Sequence, residues 1–297
     1  CEYYLKHGQM MPDDWRQQLE GFEAIYFGAA GMPALVPDHI SLWGSLIKFR
    51  RDFDQYVNLR PVRLMPGVPC PLANRKPGDI DFYVVRENTE GTYVGEGGFL
   101  RKGTPHEVAT QGSVNTRIGV ERAIRFAFDE ARGRRSHLTL VHKTNVLTFA
   151  GDLWERVFNN VAEDYPDVET AYHHVDAACI YFVESPERYD VIVTDNLFGD
   201  ILTDLGGSVS EGIGSAASAN LNPSKTGPSM FEPVHGSAPD IAGQGKADPT
   251  AAILSGAMML DFLGEGEAAE RIAVACADPA TRRVGTSEIG DAIAERV

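Results

Sequence analysis

Asp200 and Asp204 stand four residues apart in the segment Asn196-Leu-Phe-Gly-Asp-Ile-Leu-Thr-Asp204, where a strand-like run gives way to helical periodicity. At that spacing both carboxylates share one helical face. Two readings are open: a solvated face, or a site for a hard divalent cation, Mg2+ or Mn2+, which takes carboxylate oxygens. Arginines cluster at Arg50, Arg51, Arg60, Arg63 and Arg86. A surface arginine is ordinarily just hydrated, but Arg50, Arg60 and Arg86 sit at the ends of different elements. That arrangement suits a dicarboxylate, since each guanidinium can grip one carboxylate bidentately. Lys143, closing the run Leu138–His142, is either a surface lysine or, beside a metal and other cations, a general base. Tyr93 is a phenolic acid or a loop aromatic.

Two segments are candidates for a nucleotide. Gly212-Ile-Gly214-Ser-Ala-Ala217 fits the spacing GxGxx[GA], but it follows a helix, whereas the dinucleotide fingerprint follows a strand. It is read as a helix end. The segment Glu232-Pro-Val-His235-Gly236-Ser237-Ala238-Pro-Asp240-Ile241 offers small residues, backbone donors and an imidazole that could surround adenosine.

The elements that must position these groups alternate between short apolar runs and amphipathic stretches. This is the pattern of an α/β protein with a largely parallel sheet. Strands are expected at 22–29, 79–86, 138–142 and 189–194, and helices at 114–132, 152–165 and 198–209. The stretches 66–77, 91–103 and 220–239, rich in Pro or Gly, are expected to be irregular. At 297 residues the chain is long enough for two domains of about 150 residues each.

Lys and Arg number 27 against 42 Asp and Glu, a net charge of −15. That balance argues against nucleic-acid binding and requires positive charge to be concentrated locally for an anionic substrate. The four cysteines, Cys1, Cys70, Cys179 and Cys276, have no disulfide-framework or zinc spacing and read as reduced thiols of a cytoplasmic protein. The longest apolar run, 251–260, falls short of the roughly 20 residues a membrane span needs, and no leader opens the chain.

Taken in order, Asn58-Leu-Arg-Pro61, Val85-Arg-Glu-Asn-Thr-Glu-Gly91, Lys143-Thr-Asn145, the segment 196–204 and the segment 232–240 resemble the β-decarboxylating dehydrogenases, the isocitrate/isopropylmalate dehydrogenase family. The resemblance runs from Cys1 to about Gly264. Residues 1–4, 10–15, 37–44 and 53–56 look like D-malate and tartrate dehydrogenases, whereas 138–151 and 194–204 look like 3-isopropylmalate dehydrogenase. The family's opening strand and Gly-rich loop have no counterpart here, and the tail is short, so residues beyond this sequence are expected.

The resemblance implies an open α/β sheet of two domains that is not a Rossmann fold. Residues 1–56 with 214–297 would form the cofactor side, and 57–213 the substrate and dimerisation domain. It also implies Arg50, Arg60 and Arg86 as carboxylate clamps, Tyr93 as catalytic acid, Lys143 as base, and Asp176, Asp200 and Asp204 as metal ligands. Lys143 and Asp176 would serve a neighbouring subunit, making the active unit a homodimer.

Leu46 and Ile47 would wall the substrate pocket with apolar surface, unsuited to the extra carboxylate of isocitrate. Asp240 and Ile241 stand where members that use NADP carry Lys and Tyr, so NAD is the expected cofactor, with Asp248 near the adenine. The implied activity is metal-dependent oxidative decarboxylation of a (2R)-malate-type acid, D-malate or tartrate. The alternatives are 3-isopropylmalate oxidation and a truncated, non-catalytic member.

Overall fold

In the computed structural model, which describes residues 1–210 and 215–297, the chain divides into two units: Cys1–Asp81 with Asp204–Val297, and Phe82–Thr203. The first unit opens with helices α1 (Glu2–His7) and α2 (Trp15–Leu19), strand β1 (Ala24–Tyr26), helices α3 (Asp38–Gly44) and α4 (Leu46–Asp52), and strand β2 (Val57–Arg63). On α4, Phe49 is buried with Phe53, Trp15 and Met230, and Leu46 packs against the same cluster. This packing seats Arg50 at the last turn of a helix that is anchored on its apolar side.

The second unit carries β3 (Asp81–Glu87), the ribbon β4 (Gly97–Leu100) and β5 (Val108–Gln111), α5 (Arg117–Arg132), β6 (His137–His142), α6 (Thr148–Ala162), β7 (Glu169–His174), α7 (Val175–Glu184), β8 (Val191–Thr194) and the first half of α8 (Asn196–Ser210). Its strands run in the order β3-β8-β6-β7, all parallel. Every residue of β8 is buried, as expected for a parallel strand with both faces covered. Helix α5 buries Val120, Ala123, Ile124, Ala127, Phe128 and Ala131, one stripe at helical spacing, and its N-cap hydroxyl, Thr116, accepts the Gly119 N–H.

The chain then returns to the first unit with β9 (Ala217–Leu221), β10 (Ser229–Pro233) and helices α9 (Thr250–Phe262), α10 (Gly266–Ala277) and α11 (Thr286–Ala294). In this unit β1, β10, β9 and β2 lie side by side, and β9 is antiparallel to both neighbours. The architecture is the expected α/β class, but its sheet is mixed rather than largely parallel.

Five local expectations are corrected. The stretch 220–239 contains β10 and the end of β9, and 91–103 contains β4 and a 3-10 turn at Thr92–Val94. Apolar periodicity missed β9 because Ser218 and Asn220 are buried within it. These polar groups are paired: the Asn58 amide donates to Ser218 Oγ at 2.8 Å and to Asn220 Oδ1 at 3.1 Å, and Asn220 donates to Glu232 Oε1 at 2.8 Å. The missed β4 holds Gly97 at φ 149°, where a side chain would collide with the Thr110 carbonyl oxygen. Helix α6 begins at Thr148 rather than 152 and helix α5 at Arg117 rather than 114. Gly212 and Gly214 lie outside the described residues, and Ala217 opens β9 rather than ending a helix.

None of the four cysteines is in a disulfide, and no described helix is long and apolar enough to cross a membrane.

Candidate active site

In the second unit, β3 ends at Arg86 and Glu87, and the turn that follows is organised by the buried Glu87 carboxylate. Glu87 accepts the Thr89 and Glu90 N–H groups and the Thr89 hydroxyl at 2.7–2.8 Å. Burial nevertheless pushes its pKa up to about 7. Beyond that turn Tyr93 lies against Arg86, whose guanidinium carbon is 5.2 Å from the ring centroid. Arg86 is 1% exposed. Its Nε and Nη2 donate to Asn196 Oδ1 at 3.0 and 2.7 Å, and its Nη1 makes a close ion pair with Asp200 Oδ1. Tyr93 Oη donates to Asp200 Oδ2 at 2.9 Å. The structure thus joins three of the singled-out residues, Arg86, Tyr93 and Asp200, and adds Asn196.

Lys143 and Asp176 form a second group in the same unit. Lys143 Nζ donates to Asp176 Oδ1 at 2.6 Å, and this bond holds the Asp176 carboxylate below its ordinary range. No three of the described His, Cys, Asp and Glu side chains cluster to hold a metal ion. Asp176 therefore does not complete a ligand set with Asp200 and Asp204 within one chain. Those two lie one helical turn apart on α8, with side chains 39% and 58% exposed.

In the first unit, Arg60 lies on β2 with Nη1 3.8 Å from Asp204 Oδ1, and Arg50 Nη2 lies 3.4 Å from Glu232 Oε1. Glu232 is buried at the end of β10, so its carboxylate is committed to Arg50 and Asn220. Ile47 is 3% exposed and Leu46 packs toward Trp15 and Phe49. The loop after β10 is more open. Ser237 Oγ donates to the Gly31 carbonyl at 2.6 Å, Ala238 takes a left-handed φ of 41°, and Asp240 is exposed at a 3-10 turn, Pro239–Ile241. His235 and Gly236 precede this turn. Asp248 Oδ1 accepts the Thr250 N–H at 2.9 Å and so starts α9.

Asn196 opens the motif 196–204 but has no role assigned from sequence. The available signal was an amide opening a helix directly after a strand, three residues before a glycine.

One buried group beside this site sets a pH dependence. His142 is wholly buried next to Lys143, between the rings of Trp154 and Phe198, with Nε2 3.5 Å from Asp195 Oδ2. Burial lowers its pKa to about 4, whereas an unfolded histidine titrates near about 6.5. The unfolded chain takes up that proton first, so this contribution to stability is present above about pH 6.5 and lost as pH falls toward 4. Asp195 acts oppositely: burial raises it to about 6, and stability falls as it ionises with rising pH. Removing the imidazole by His142→Phe should therefore make the melting temperature change relative to the parent in the variant's favour as pH drops from 6.5 to 4. Parallel melting curves across that range would assign the acid sensitivity elsewhere.

The family described as isocitrate/isopropylmalate dehydrogenase matches residues 1–296. The chain belongs to that family. It is 61% identical over 268 residues to the D-malate dehydrogenase [decarboxylating] of Escherichia coli, spanning 90% of this chain and 74% of the relative. It is 58% identical over 297 residues to the 3-isopropylmalate dehydrogenase of Thermobifida fusca, spanning 98% of this chain and 84% of the relative. Among solved structures, isocitrate dehydrogenase from Methylococcus capsulatus matches with a TM-score of 0.89 at 37% identity, over 99% of this chain and 87% of that one. Family and fold class are as the ordered motifs implied.

Proposed function

We propose that this member of the isocitrate/isopropylmalate dehydrogenase family is a metal-dependent, NAD-using enzyme that oxidatively decarboxylates a (2R)-malate-type 2-hydroxy acid, with D-malate first and tartrate in the same class. The observation that carries the reading is the Arg86–Asn196–Asp200–Tyr93 cluster. It places a buried cation, a phenol and a helix-borne carboxylate in mutual contact at the end of β3.

The donor set fits a divalent ion. Asp200 and Asp204 offer hard oxygens on one helix face and stay partly exposed, and Mg2+ commonly takes one or two carboxylates and keeps waters. Asp176 of a second copy would add the third carboxylate. The loop from Ser237 to Ile241 fits a dinucleotide: its exposed Asp240 can accept from ribose hydroxyls and repels a 2′-phosphate. Its left-handed Ala238 is the kind of backbone outlier that concentrates at binding loops. A bound divalent ion supplies a Lewis acid for the hydroxyl and the 2-oxo group, and the nicotinamide supplies the hydride acceptor.

This chain's residues do the rest. Arg50, Arg60 and Arg86 hold the substrate carboxylates. Lys143 takes the proton from the C2 hydroxyl as C2 is oxidised. Loss of the C3 carboxylate as CO2 leaves an enol, and Tyr93 returns a proton to C3. The homodimer is supported by the β4–β5 ribbon, which carries Phe99 and Leu100 about 60% exposed. A lone two-stranded ribbon is marginal in water unless something covers it.

Turnover of D-malate, tartrate, 3-isopropylmalate and isocitrate with NAD and NADP tests the reading. D-malate with NAD should give the highest kcat/KM and isocitrate the lowest, and NADP should be disfavoured by roughly tenfold or more through charge repulsion at Asp240. A preference for 3-isopropylmalate would favour the second reading, which the Thermobifida fusca relative supports across nearly the whole chain. No metal-dependent turnover of any of the four would favour a non-catalytic member.

A further inference from the structure

We infer that Asn196 is a positioning residue for Arg86, and that the face of α8 formed by residues 196, 199 and 200 is shaped to hold that one guanidinium. The inference rests on the reading of Arg86 as a substrate-carboxylate clamp. An arginine side chain has several rotatable bonds, so a buried one keeps a single orientation only where its donors are matched.

Here the Nε–Nη2 edge converges on one acceptor, Asn196 Oδ1, at 3.0 and 2.7 Å. The Asn196 amide is itself fixed, because its Nδ2 donates to the Glu90 carbonyl at 3.1 Å. The amide oxygen is a neutral partner on this edge, and the one carboxylate on Arg86, that of Asp200, meets Nη1 instead. One turn along, Gly199 leaves room for the stem of Arg86. A Cβ there would lie 2.5 Å from Cγ, 2.7 Å from Cβ and 3.0 Å from Cδ of Arg86. Next to it Asp200 meets Nη1. Acceptor, empty space and carboxylate therefore follow one another at helical spacing i, i+3 and i+4 along the arginine. The amide holds the Nε–Nη2 edge of Arg86.

Steady-state kinetics and calorimetry on the full chain test this with Asn196→Ala, Gly199→Ala, Arg86→Ala and the double variant Asn196→Ala/Arg86→Ala. Asn196→Ala should raise KM for D-malate, and its Kd by calorimetry, about tenfold, the size of a lost hydrogen bond to a charged group, while KM for NAD stays at the parent value. In the Arg86→Ala background the same change should add nothing, because a residue acting only through Arg86 has no effect once Arg86 is gone. Gly199→Ala should raise KM by displacing Arg86 from the other side, and it keeps the test available if Asn196→Ala does not fold. An equal loss from Asn196→Ala with and without Arg86, or a Gly199→Ala variant with parental KM, would overturn the proposal. A parental KM for Arg86→Ala alone would instead remove the clamp reading on which it rests, and the proposal with it.

Discussion

Replacing Lys143 by Met should lower kcat by about 10²–10⁴-fold, the usual size of a lost general base, with little change in KM for the hydroxy acid. Methionine keeps the apolar stem and removes the amine. The fold should survive, because the Lys143–Asp176 bond lies at an exposed strand end and such pairs add little stability. If KM rises instead and kcat holds, Lys143 binds substrate rather than moving its proton.

A mixing experiment extends the test to the assembly. Lys143→Met and Asp204→Asn subunits, each strongly impaired alone at limiting metal, should regain about one quarter of parental activity when allowed to exchange. Half of the dimers would then be hybrids, each with one intact shared site. No recovery in dimers shown to have exchanged would mean that each chain builds its site alone.

Asp204→Asn should weaken Mg2+ or Mn2+ binding by at least about tenfold, since even outer-shell partners of a metal cost that much when removed. Turnover at fixed metal should fall in step. The carboxylate is more than half exposed on α8, and its change to an amide should leave the melting temperature nearly unchanged. Because Asp200 remains to bind the ion, part of the defect should be recovered at high metal concentration. Metal titrations of the variant that superimpose on the parent's, by calorimetry without substrate, would return Asp200 and Asp204 to a solvated helix face.

Much of this protein was legible in its amino-acid order. Short, mostly apolar runs rich in β-branched and aromatic residues at 82–85, 138–141 and 191–194 pointed to buried strands, and β3, β6 and β8 lie there. The stripe from Val120 to Ala131 required a helix with one buried side. Five motifs in one order identified the family, because each joins a chemically specific residue to a fixed spacing.

What the order alone did not determine was decided by pairing at a distance. The stretch 220–239, which holds the end of β9 and all of β10, read as irregular because it carries four prolines and little periodicity. Both are strands because β9 pairs along its backbone with β2 and β10, and β10 with β1, while Asn58 and Arg50, about 160–180 residues earlier, satisfy buried polar side chains on them. Hydropathy registers each residue's own cost of leaving water and not the partner that offsets it. The same holds for Arg86. Its type and its place at a strand end announced a cation for an anionic substrate, but its orientation depends on Asn196, 110 positions along the chain. Local sequence determines which groups a segment carries. The partners that fix those groups are set by packing, and only the tertiary structure brings them together.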